Sequence, residues 1–184
     1  MQTLDIPQAN DLDTVRRVLY AVSRGAKSLE AIADFTGYSH RHTQYRVHAA
    51  RILALLHLEG DEAILTTLGE RILDAEKGSQ RERELYARAI NACPVIQIVA
   101  PDLLGPNPPL IEELTDRLFH QSKLAPDTAR RRASGLLAWR RHVLGETAER
   151  APRHPAADPP PPPPAPAPEP SYGPTSKAQQ LSLL

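Results

Sequence analysis

The chain has 184 residues, and its 22 lysines and arginines are balanced by 22 aspartates and glutamates, which excludes a polycation that coats nucleic acid or membrane by bulk charge. A single cysteine, Cys93, excludes an internal disulfide. With no Cys/His grouping at zinc spacing, the fold must stand on its apolar core, as expected in a reducing cytoplasm. No stretch approaches the roughly 20 apolar residues of a membrane helix, and residues 1–10 lack the basic and apolar segments of a leader.

Leu12, Val15, Val18, Leu19 and Val22 recur at helical spacing, which predicts an amphipathic helix over residues 12–23 that Gly25 closes. Ser28 is placed to cap a short helix through residue 35. Thr36-Gly37-Tyr38 then makes a tight turn, and Ser39 caps a longer helix over residues 40–56. Short helix, glycine turn and long helix form a helix-turn-helix arrangement. Residues 57–59 and 63–65 flank Gly60-Asp61-Glu62, the pattern of a small hairpin that would act as a wing. Thr67 with Glu70 has the spacing of a capping box for a helix to residue 76.

Ser79 with Glu82 has the same spacing and opens a helix to residue 92, with Pro94 interrupting or re-initiating it. A boundary near Gly78 therefore separates a module over residues 1–78 from a second over 79–150. The apolar run 95–104 predicts a buried helix, although its length also permits a strand, and a proline-rich loop follows over 105–109. Leu110, Leu114 and Leu118 mark one face of a helix to residue 121. After a turn over 122–125, Pro126 stands at the first position of a helix to residue 144. This is a second helix-turn-helix pattern. Prolines dominate residues 151–176, including an unbroken run over 159–164, which predicts a disordered, extended spacer. Residues 177–184 turn apolar again. The fold class expected is mainly α: a winged helix-turn-helix, a second helical helix-turn-helix module and a disordered tail.

A helical wheel drawn over residues 40–56 gathers His42, Tyr45, Ala49, Ile52, Leu53 and Leu56 on the inner side. Thr43, Gln44, Val47 and Arg51 then face outward, with Arg41 and Arg46 on the flanks. Such hydrogen-bonding, methyl-bearing and cationic groups read base edges and hold phosphates. No acid occurs between Ser39 and Arg51, the local charge segregation of a groove-entering helix. The second helix is more basic, with Arg130-Arg131-Arg132 and Arg140-Arg141, and Asp127 is the one acid over residues 117–142. Ala129, Ala133, Leu136, Leu137 and Val143 form its inner stripe beside Trp139, so Thr128, Arg131, Ser134 and Arg141 face outward and Arg130 meets phosphate. The plainer alternative for both faces is a solvated surface on which long cationic stems lie over apolar neighbours.

No glycine-rich phosphate loop, Ser/His/Asp pattern or carboxylate pair is recognisable, so no enzyme, catalytic residue or cofactor is expected. His40-Arg41-His42 is a poor metal site for want of carboxylate or cysteine partners, and Cys93 suits a buried structural thiol.

Residues 14–75, through Leu29-Glu30-Ala31-Ile32-Ala33, Gly37-Tyr38-Ser39 and Leu65-Thr66-Thr67-Leu68-Gly69, resemble the winged-helix DNA-binding superfamily. Leu124-Ala125-Pro126-Asp127-Thr128-Ala129-Arg130-Arg131-Arg132 is similar to helix-turn-helix modules of bacterial regulators and DNA-processing systems. Gln180-Leu181-Ser182-Leu183-Leu184 resembles the bacterial sliding-clamp-binding motif at every position. That resemblance implies that Leu183 and Leu184 enter an apolar pocket of the clamp, Gln180 makes polar contacts beside it and Leu181 supports them, with Ser182 between. The expectation is a bacterial, nucleoid-associated protein whose partners are DNA and the clamp, acting in replication or repair. The alternatives are a sequence-specific transcription regulator, with which a homodimer is compatible, and a protein-interaction subunit of a defence or restriction complex.

Overall fold

Asp11 opens the first helix because its carboxylate accepts from the Asp13 amide at 2.9 Å, satisfying one of the donors that a helix start leaves unpaired. The computed structural model describes residues 6–146, which are mainly helical and fall within one contact unit. Helix α1 (Leu12–Ser23) buries Leu12, Val15, Val18, Leu19, Ala21 and Val22, and it packs against the three helices or helix ends that follow. Ser28 caps α2 (Leu29–Thr36), and Gly37, with φ of +70°, ends it in the left-handed conformation that glycine adopts without a Cβ clash. Ser39 caps α3 (His40–Ile52).

The long helix stops four residues before the expected end. Leu53 leaves helical geometry and Ala54 takes a φ of +53°, so Leu56 begins a strand and is no part of the helix. Strand β1 (Leu56–Glu59) pairs antiparallel with β2 (Glu62–Leu65), in register from Leu56 opposite Leu65 to Glu59 opposite Glu62. Gly60 and Asp61 are left as a two-residue turn, tighter than the three residues expected. The Ala63 amide donates to the Lys27 carbonyl at 2.9 Å, which pins the hairpin to the loop before α2.

Helix α4 (Thr67–Asp74) is capped by Thr66, one residue earlier than the Thr67-to-Glu70 box predicts. The reason is local: Thr66 has the extended backbone of a cap, its hydroxyl accepts from the Gly69 amide at 3.1 Å, and the same hydroxyl donates to the Ala54 carbonyl at 2.7 Å. Gly69 is obligatory there, since a Cβ would overlap the Leu55 carbonyl oxygen. Where α4 ends, the Arg16 guanidinium from α1 donates to the carbonyls of Ile72, Leu73 and Ala75 and to the Glu82 carboxylate. Glu82 is fully buried on α5 (Gln80–Ala92), whose cap is Ser79 as expected. Its second oxygen accepts from the Gly78 amide, so the carboxylate joins the end of α4, the 78–79 turn and the start of α5.

The apolar run after Cys93 resolves into a short helix, α6 (Pro94–Val99), with proline at its first position, followed by turns through residue 107. Helix α7 (Ile111–Gln121) buries Leu114 and Leu118, whereas Leu110 is its exposed N-cap and does not join that face. Arg117 of α7 grips Asp102 with two hydrogen bonds of 2.8 and 3.0 Å and also reaches Glu113, tying the preceding loop to the helix. Helix α8 (Pro126–Leu144) begins on Pro126 and ends on Gly145, with φ of +68°. It packs chiefly on α7 and also on α5. No helix among the described residues is long and apolar enough to cross a membrane.

Candidate nucleic-acid interface

Thr43 and Val47 do not face outward. Thr43 is fully buried and Val47 is 8% exposed, and both lie with Ala50 on the inner face of α3. The expected wheel was phased through Leu56, which the helix never reaches; one residue of phase is roughly 100°, enough to turn the inner face onto its neighbour. Burial of a threonine costs little here because its hydroxyl donates to the Ser39 carbonyl at 3.2 Å. His42, expected on the inner side, is exposed.

What α3 offers to solvent is therefore Arg41, Gln44 and Arg51, together with His40 and His42. Arg46 is half-buried on the flank, its guanidinium 4.2 Å from the centre of the Tyr38 ring and its Nη1 donating to the His42 carbonyl at 2.8 Å. Arg17 of α1 approaches the same ring at 5.4 Å. Tyr38, the residue after the turn glycine, thus gathers two cations at the start of α3, an attraction between positive charge and the ring face. Arg41 is ordered in the same way over Tyr45, to whose hydroxyl its Nε donates. These contacts spend side-chain freedom before any ligand arrives.

Beside α3 runs a groove of about 320 Å³. Gln44, Val47 and Arg51 form one wall, Lys27 and Ser28 another, and Leu58 and Asp61 of the hairpin the third. The hairpin is held to the loop before α2 by the Ala63 bond and by an exposed Lys27–Glu62 ion pair of 3.5 Å. Its acids, Glu59, Asp61 and Glu62, lie at or beside the tip, and Asp61 shares the groove with Gln44 and Arg51 of α3.

On α8 the expected orientation is found. Arg130, Arg131, Ser134 and Arg141 are exposed and Thr128 is half-buried, opposite the stripe of Ala129, Ala133, Leu136 and fully buried Trp139. Arg132 differs: it is 6% exposed and lies on the inner stripe. Burial depresses its pKa below the usual arginine range and the adjacent Arg131 adds to that, while Tyr45 of α3 opposes the effect.

Sequence reasoning missed Arg132 and the leading segment, in which Ile6, Pro7 and Ala9 are buried. One signal was present. Gly135, in the middle of a 19-residue helix, faces Asn10 of the leading segment, which a Cβ would meet in ordinary van der Waals contact at 3.5 Å, and an isolated glycine inside a helix is a cue to look for a packing neighbour.

Among the described residues no group of three or more His, Cys, Asp or Glu side chains is arranged to hold a metal. Cys93 is buried, and burial pushes its thiol pKa up, away from the thiolate that a nucleophile needs. Gln180, Leu181, Ser182, Leu183 and Leu184 lie outside the described residues, as does the proline-rich stretch. Comparison with protein families, with curated proteins and with solved structures finds no match.

Proposed function

We propose that this chain is a non-enzymatic DNA-binding protein of the winged-helix kind. The supporting observation is the meeting of an acid-free exposed face on α3 with a hairpin pinned alongside it, in the order helix, helix, turn, helix, hairpin. Arg41, Gln44 and Arg51 meet the major groove; Arg46 and Arg17, ordered on Tyr38, lie at its margin and hold phosphate. The exposed arginines of α8, Arg130, Arg131 and Arg141, extend the phosphate contacts, with Thr128 and Ser134 small enough to let that helix approach the backbone. Net neutrality does not oppose this, because binding depends on the local field rather than on total charge.

The terminal peptide, residues 180–184, docks on the bacterial sliding clamp and brings the protein to replication or repair sites, the intervening spacer raising local concentration without fixing geometry. This part rests on the sequence pattern. Fluorescence anisotropy of a labelled duplex and of labelled clamp, each titrated with the full chain and with a chain lacking residues 180–184, tests both halves. Both chains are expected to bind duplex, and only the full chain to bind clamp. Duplex binding without clamp binding by the full chain leaves a transcription regulator, and absence of duplex binding at low salt removes the DNA reading.

One observation favours a second reading, a protein-interaction subunit. Tyr20 of α1 and Phe35 of α2 are both about half exposed and pack edge to face at 6.0 Å, and paired exposed aromatics are typical anchors of protein interfaces.

A further inference from the structure

Arg132 carries a positive charge that nothing among the described residues neutralises. It is 6% exposed, its Nε is closed off from solvent without an acceptor, and no ion pair or hydrogen bond joins its guanidinium to a described residue. Two turns along the same stripe, the indole Nε1 of fully buried Trp139 also lacks an acceptor. Arginine keeps its proton in proteins and presents five donors in a rigid fork. Closing even one of those donors, the Nε–H, off from water without an acceptor carries a cost. A fold that needed only volume here would be more stable with a methionine.

We propose that Arg132 is an anion site on α8, and that the anion is a phosphate. The guanidinium matches a phosphate in two parallel hydrogen bonds. The neighbouring Arg131 is exposed and adds a second cation beside it. On the DNA reading proposed above, which this inference deepens, the phosphate comes from the duplex backbone, and Arg132 adds a contact to it from α8. A free phosphate is the other source of the same chemistry.

The test uses the full chain. The Nε–H resonance of Arg132, assigned by its loss in Arg132→Met, is followed through titration with inorganic phosphate against chloride of equal ionic strength, and then with duplex. Duplex affinity and Tm are measured for wild type, Arg132→Met and Arg132→Lys. The expected result is a resonance shift with both ligands, duplex binding about tenfold weaker in Arg132→Met, and partial recovery in Arg132→Lys. Without ligand, Arg132→Met should melt roughly 2–4 °C higher than wild type. A response to phosphate with duplex affinity unchanged by Arg132→Met keeps the anion site and assigns it to free phosphate. If neither ligand moves the resonance and Arg132→Met melts lower, Arg132 is a packing residue and the inference is overturned. Failure of the DNA reading alone is recognised separately, as loss of duplex binding by every protein while the phosphate response persists.

Discussion

Arg16 and Arg132 are both withdrawn from solvent, and the molecule treats them in opposite ways. Arg16 finds four acceptors: three carbonyls where α4 ends, where the negative end of the helix dipole favours a cation, and the buried carboxylate of Glu82. The enclosed Nε of Arg132 finds none among the described residues. The first arginine completes the fold by joining α1, α4 and α5. The second, on the proposal above, holds a ligand rather than the architecture.

The largest expected effect breaks the satisfied arginine. Arg16→Met leaves the buried Glu82 carboxylate without its counter-charge and three carbonyls without their donor, and a loss of about 3–5 kcal/mol in urea unfolding is expected. Glu82→Gln keeps an acceptor for Arg16 but removes its charge, so a smaller loss of about 1–3 kcal/mol is expected in the same assay. A loss under 0.5 kcal/mol for Arg16→Met would show that the two arginines do not differ as argued.

The next effect sharpens the contrast between inner and outer faces of α3. Arg51→Gln and Arg41→Gln should weaken duplex binding several-fold while changing Tm little, since both side chains are exposed. Thr43→Val should leave duplex affinity within twofold, because the side chain is enclosed and its hydroxyl serves only the Ser39 carbonyl. The reverse ranking in anisotropy would restore the wheel that put Thr43 outside.

The smallest effect is a pH dependence. Burial, with Glu82 adding to it, raises the Tyr86 phenol above its ordinary value of 10.0. A raised folded pKa stabilises the fold fully below pH 10 and loses that contribution as the pH climbs beyond it. Wild type should therefore lose stability more steeply than Tyr86→Phe above pH 10. At neutral pH the variant should lose about 0.5–1.5 kcal/mol for its missing bond to the Leu12 carbonyl. Parallel alkaline melting curves would contradict the assignment.

Much of the fold was legible where punctuation is chemical. Asp11, Ser28, Ser39 and Ser79 cap the helices, Gly37 and Gly145 close them, and Pro126 starts α8 where proline belongs. The orientation of α8 followed because Pro126 fixes its start and the stripe of Ala129, Ala133 and Leu136 fixes its phase. For α3 no such stop exists: Ala54 carries the positive φ that ends the segment, and alanine gives no warning of it. Leu53, Leu55 and Leu56 then continue the apolar pattern beyond the helix and pull the wheel out of phase. The Thr66 cap was ambiguous because two threonines adjoin, and Gly69 decides it only once the Leu55 carbonyl is seen beneath it. The partner of Arg16 was illegible for another reason. Its acceptors are backbone carbonyls nearly sixty residues away, and backbone carbonyls have no signature in a sequence.

The salt dependence of duplex binding tests the central claim most directly. Plotted as log affinity against log salt concentration, each phosphate neutralised contributes a slope of about −0.9. The full chain is expected to show a steep negative slope that becomes shallower by about one unit for each of Arg51→Gln and Arg131→Gln, one from each helix. A slope near zero, or one that neither substitution changes, would contradict the assignment of α3 and α8 to a DNA interface.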